Sequence, residues 1–234
     1  LLMRKGQVNE ALVYLEISNT HQPDDPVVMS MLARGYIKTN RSNEAIELLK
    51  KAKAAKKDDP DIRFMLFELY QKLGQSDKAQ EEIKALVEMK REPRYLMLYA
   101  EALLIQGKHK EAENVVEDIL AIDAENIDAL LIKVKILNSR KKYDESIELF
   151  KEISYINPEH PMALYLRAET HFLQSKPQWA ETFYKRALRA DPKFALAELG
   201  LAKIAKLRKD TAGYKEHLEA ARKLDPDNEQ IQEE

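Results

Sequence analysis

Tyr143-Asp144-Glu145-Ser146-Ile147-Glu148-Leu149-Phe150, followed by Ile156-Asn157-Pro158, is the stretch whose pattern decides the fold. Ser146, Phe150 and Ile153 fall four and three positions apart, so a helix places them on one face. Pro158 ends that helix, because proline lacks the N–H and disfavours helical backbone at the residue before it. The same arrangement returns at Asn43-Glu44-Ala45-Ile46-Glu47-Leu48-Leu49, at Asp77-Lys78-Ala79-Gln80 and at Lys110-Glu111-Ala112-Glu113. Aligned on the small residue, the column reads Ala11, Ala45, Ala79, Ala112, Ser146, Ala180 and then Tyr214, which breaks it. The intervals are 34, 34, 33, 34, 34 and 34 residues.

Other columns keep the same phase. Four positions after the small residue stand Leu15, Leu49, Ile83, Val116, Phe150, Tyr184 and Leu218, and three further on Ser18, Ala52, Leu86, Ile119, Ile153, Ala187 and Ala221. Nine positions before it stand Leu2, Tyr36, Tyr70, Leu103, Leu137, His171 and Ala205. Gly6, Asn40, Gly74 and Gly107 lie between, residues that tolerate the positive φ of a helix terminus. Pro23, Pro158, Pro192 and Pro226 close repeats, while Pro60 and Pro93 open the next helix. Each unit therefore reads as helix A, a tight turn, helix B and a second turn. The small residue lets helix B approach helix A, and the large one a turn later fills the space beyond. A single hairpin of this kind cannot bury its apolar stripe alone, so consecutive units stack and share a core.

The pattern resembles the tetratricopeptide repeat family, and the resemblance covers the whole chain. It predicts an all-α chain forming one solenoid over 1–234. The repeats run over 1–25 (truncated), 26–59, 60–92, 93–126, 127–160, 161–194 and 195–228, with 229–234 starting a further helix. The opening Leu1-Leu2-Met3-Arg4-Lys5-Gly6 reads as the middle of a helix, so a truncated start is expected. Departures from the family pattern are the residues opening helix A (Met29, Arg63, Leu96, Leu130, Leu164, Glu198), Lys133 and Arg167 at positions usually occupied by Leu, and Tyr214. The last repeat is expected to be an atypical edge.

The resemblance implies a right-handed superhelix whose concave wall is lined by helices A. The fifth positions of these helices carry Phe64, Met97, Leu131, Tyr165 and Leu199, and the sixth carry Met31, Met65, Leu98, Ile132 and Leu166. Arg34, Lys135 and Lys203 stand at ninth positions. A helix apolar on two sides must bury both. The solenoid core serves one side, so the other is expected to bind an apolar peptide or helix of a partner protein. The competing assignments cover these side chains with neighbouring helices of the same chain or join copies of the chain into homo-oligomers. Related proteins that clamp a chaperone's C-terminal carboxylate carry a Lys/Asn set on these faces. Ser30/Arg34, Phe64/Glu68 and Met97/Glu101 stand there instead, which speaks against that subclass.

The remaining residues supply no chemistry. The 38 basic and 40 acidic side chains nearly cancel, to a formal charge of -2, which argues against a nucleic-acid partner. With no Cys, no thiolate site or nucleophile is available, and cytoplasm and periplasm fit equally well. No apolar run approaches the roughly 20 residues of a membrane span, so a soluble protein is expected. His21, His109, His160, His171 and His217 fall in separate repeats without metal-ligand spacing, and no phosphate-cradling loop occurs. No cofactor, metal or catalysis is therefore expected. His171 reads as a packed imidazole, and Asp58-Asp59 with Asp61, and Asp225 with Asp227, as helix caps. Lys50-Lys51, Lys53, Lys56 and Lys57 read as a solvated face, and Trp179 as an aromatic filling the turn after helix A.

Overall fold

The computed structural model describes residues 7–234; the expected positions Leu2 and Gly6 lie outside the described residues. The elements in order are α1 (Val8–His21), α2 (Pro26–Lys38), α3 (Ser42–Ala55), α4 (Pro60–Lys72), α5 (Ser76–Met89), α6 (Pro93–Ile105) and α7 (His109–Ile122). They continue with α8 (Ile127–Ser139), α9 (Tyr143–Ile156), α10 (Pro161–Leu173), α11 (Pro177–Ala190), α12 (Ala195–Leu207), α13 (Thr211–Leu224) and the short α14 (Glu229–Gln232). From α2 to α13, helices of 13 and 14 residues alternate, the A and B members of each hairpin. Among the described residues there is no strand. The chain divides into two compact units, Leu1–Glu111 and Ala112–Glu234.

Helices A start on side-chain caps more often than helices B. Asp25 accepts the Val27 N–H at 2.8 Å, and Asp59 accepts from Asp61 and Ile62. Asn126 and His160 cap α8 and α10. Such caps satisfy N–H groups that the first helical turn leaves without partners. Among the acids expected to cap, Asp59 does so, whereas Asp225 accepts from the Asn228 side chain at 2.9 Å and Asn228 is the residue that caps α14.

Helices A end in a repeated motif. One residue takes positive φ: Asn40, Gly74 and Gly107, as the sequence suggests, and also Lys141, Ser175 and Lys209. The N–H that follows then bonds back five residues, as Arg41 to Tyr36 at 2.8 Å, Gln75 to Tyr70 at 2.8 Å and Lys142 to Leu137 at 2.9 Å. These are Schellman closures, which satisfy carbonyls left open at the helix end. They reverse the chain so that helix B returns along helix A.

The columns of small and large residues form the core. In the first unit Ala45, Leu49, Ala52, Ile83 and Leu86 are fully buried. In the second, Leu130, Leu131, Val134, Phe150, Ile153 and Leu166 form one cluster, and Leu164, Ala180, Tyr184, Ala187 and Leu201 the next. Gly200 shows how close the approach is, since a Cβ there would stand 2.4 Å from the Tyr184 ring. The Tyr214 break is accommodated at the last hairpin. Its hydroxyl donates to the Glu234 backbone carbonyl at 2.9 Å, and Ile231 of α14 is buried against Leu199, Leu218 and Ala221. Lys133 pairs with Glu117 at 2.7 Å, and Arg167 lies 4.3 Å over the Phe183 ring, so both departures keep their charge at the margin of the core.

Lys141 carries a side chain in a conformation that costs a non-glycine residue about 1 kcal/mol. Replacing exposed Lys141 with Gly is expected to stabilise the fold and raise the melting temperature by about 2–4 °C. An unchanged or lower midpoint in thermal unfolding would contradict that assignment.

Candidate functional site

In the first unit, α2 and α4 are consecutive A helices. Met29, Leu32 and Ala33 of α2, and Leu66, Leu69 and Tyr70 of α4, point into the core. Their opposite sides border an open cleft of about 1060 Å³. Met31, Phe64 and Met65 contribute to its apolar lining. Met31 is 48% exposed and Met65 only 6%, so α2 offers a free methionine where α4 offers a covered one. Phe64 is half-buried, with the Arg94 guanidinium 4.7 Å above its ring and the Tyr95 ring at 6.0 Å.

Charged side chains rim this cleft. Arg34 and Lys38 project from α2, Asp61 and Glu68 from α4. Arg34 Nη2 meets Asp61 Oδ2 at 3.4 Å, with both side chains mostly in water. Such a pair is worth at most about 1 kcal/mol and opens easily. Lys56 pairs with Asp59 at 2.9 Å. Although burial of Asp59 works the other way, the Lys56 ammonium and the N–H groups of Ile62 and Asp61 hold its carboxyl below the usual range.

The rest of the expected wall is placed differently. Met97 and Leu98 are half-buried. Leu131, Ile132, Leu166 and Leu199, together with Met65, are buried, which corrects the expectation of an exposed ladder at those positions. The reason is local packing. Leu131 and Leu166 belong to one cluster linking α8, α9 and α10, and Leu199 packs on α13 and α14. The second apolar side of these helices is consumed by helices of the same and adjoining repeats. Tyr165 is half-buried against Phe194, rings 5.4 Å apart and edge-on, and burial pushes its hydroxyl well above the usual tyrosine range. The Tyr184 hydroxyl donates to Glu169, and Lys135 and Lys203 are half-buried.

Two polar features bear on the remaining expectations. Glu82, only 4% exposed, accepts from Lys53 Nζ and from Arg63 Nη1 at 3.0 Å. Lys53 is thus half-buried in a charge cluster rather than part of a solvated run, a partner set that spacing along the chain does not announce. His171 is packed as expected, its ring stacked on Phe183 at 5.4 Å and on Trp179 at 6.0 Å. Trp179 covers that imidazole while remaining 58% exposed. Among the described residues, no group of three or more His, Cys, Asp or Glu could hold a metal ion. No described helix is long and apolar enough to cross a membrane.

Hairpins of fixed period, closed by the same turn and stacked through small-residue columns, define a tetratricopeptide-type helical repeat array. The family model described as "Tetratricopeptide repeat protein 21 N-terminal ARM repeat" matches residues 2–179, and the chain belongs to that family. Human DnaJ homolog subfamily C member 7 is 27% identical over 92 residues, 39% of this chain and 19% of that protein. The matched segment is thus under a fifth of that relative's length. A tetratricopeptide repeat protein from Parabacteroides merdae has a similar fold, with TM-score 0.88 and 19% identity over 99% of this chain and 92% of that one. YrrB, described as a TPR protein with an unusual peptide-binding site, matches with TM-score 0.58 and 15% identity, over 78% of this chain and 95% of its own.

Burial lowers the His171 pKa below its ordinary value of 6.5, with the Arg167 and Lys176 charges adding to the effect. The unfolded chain then takes up a proton that the folded one refuses, so His171 costs stability as pH falls below about 6.5. A His171→Leu variant is expected to lose less of its melting temperature between about pH 6.5 and 5 than the parent. Parallel melting curves across that window would contradict this.

Proposed function

We propose that this chain is a protein-interaction module whose cleft between α2 and α4 holds an apolar segment of a partner polypeptide, and that it carries out no catalysis of its own. The supporting observation is the cleft itself: about 1060 Å³, lined by Met31, Phe64 and Met65, and rimmed by charges of both signs. That volume lies just above the roughly 300–1,000 Å³ of small-molecule pockets. An exposed methionine beside an aromatic ring is an adaptable apolar contact. The near-balance of 38 basic and 40 acidic residues favours a protein ligand over a nucleic acid. YrrB, a protein of the same fold described by its peptide-binding site, makes peptide capture a natural use of this architecture.

The proposed contact set is centred on Met31, Arg34 and Phe64. Met97 and Leu98, half-buried on α6 of the same unit, are further candidate contacts. In the second unit, Tyr165, Lys135 and Lys203 are half-buried and remain candidate contacts. A second copy of the chain is the competing occupant.

Met31→Glu tests this reading, because Met31 is exposed and glutamate is a good helix former. Peptides selected by the parent from a random displayed library are expected to bind this variant at least about tenfold more weakly, with helix content unchanged. Peptides that bind both proteins alike, or a selection that enriches none, would overturn the proposal. Concentration-dependent growth in mass by light scattering, abolished in Met31→Glu, would replace the partner with a second copy.

A further inference from the structure

We infer that the segment taken by this cleft is an amphipathic helix with an apolar ridge flanked by acidic side chains on one edge and basic ones on the other; this rests on the reading that the cleft holds a partner polypeptide. The two walls differ in sign. Along α2 the charged residues lining the cleft are both cations, Arg34 and Lys38, four positions apart and so on one face. Along α4 they are both anions, Asp61 and Glu68, seven positions apart and again on one face. The turn between these hairpins adds Lys56 and Asp59, which pair with each other at 2.9 Å and leave the imbalance unchanged. A basic wall thus faces an acidic wall across the apolar lining of Met31, Phe64 and Met65. The reach of Arg34 to Asp61 shows that the walls are close enough for one ligand element to touch both.

The backbone form of the ligand follows from this arrangement. In an extended segment side chains alternate between two opposite faces, so if the apolar ones point into the cleft the charged ones point away from it. A helix presents an apolar ridge with a charged row on each side, and each row lies against one wall. The 13 residues of α2 give a wall about 20 Å long, close to four helical turns. A helix charged with one sign on both edges would meet one repelling wall. Reversing the helix exchanges its edges, so the two walls also set its direction in the cleft.

Three designed helical peptides with the same leucine ridge test this against the full chain by fluorescence anisotropy. One carries Glu on one edge and Lys on the other, the second Glu on both, the third Lys on both. The mixed peptide is expected to bind about fivefold more tightly than either single-sign peptide at low salt, the gap closing as salt is raised. Arg34→Glu with Lys38→Glu should shift the preference to the all-Lys peptide, and Asp61→Lys with Glu68→Lys to the all-Glu peptide. Equal binding of all three, weakened by Met31→Glu, would overturn the charged-edge inference while leaving the cleft as a docking site. Binding of none of them to the parent would overturn both.

Discussion

A two-helix hairpin of this length has more apolar surface than it can bury by itself, and everything else in the molecule answers to that constraint. The small residue of each helix B, fully buried at Ala45, Ala112, Ser146 and Ala180, brings the paired helices together. The large side chains then have to be covered by the neighbouring hairpin. In the second unit this covering reaches Leu131, Leu166 and Leu199, which lie inside clusters shared by successive repeats. In the first unit it leaves the row through Met31 open beside Phe64. The docking site we propose is the part of the stacking interface that the chain does not use on itself.

Polar groups hold the hairpins in phase. Caps such as Asp25 and Asp59 start helices A, and the left-handed residue at Asn40 and its counterparts ends them. Because the closing bond returns to the residue nine positions before the small column, each turn ties the two helices in a fixed register. Charges crossing between hairpins are worth little when exposed, as with Arg34 and Asp61. Glu82 is different, since it is buried and would be left uncompensated without Lys53 and Arg63.

Most of the fold was legible because a period is a property of the sequence itself. Pro60 and Pro93 mark helix starts, and Gly74 and Gly107 mark left-handed turns, by residue type alone. Lys141, Ser175 and Lys209 occupy the same conformation without any such mark, and only their phase in the repeat identifies them. The site was legible in part. Met31, Arg34, Phe64 and Met65 do border one cleft. Periodicity within a helix says that Leu131 and Ile132 lie on a second apolar side, but not whether neighbouring helices cover it, and both are buried. The same limit hid the partners of Glu82, 29 and 19 residues away, which are set by stacking rather than by spacing within a helix.

Methionine oxidation by dilute peroxide, followed residue by residue by mass spectrometry, reads out which apolar side chains the stacking leaves free, because the rate follows exposure of the thioether. Met31 is predicted to oxidise at least about tenfold faster than Met29 and Met65, which the core and the neighbouring helices cover. Oxidation of Met65 as fast as Met31 would mean that both A helices of the first unit leave this side uncovered, and that stacking does not decide which apolar side chains remain free.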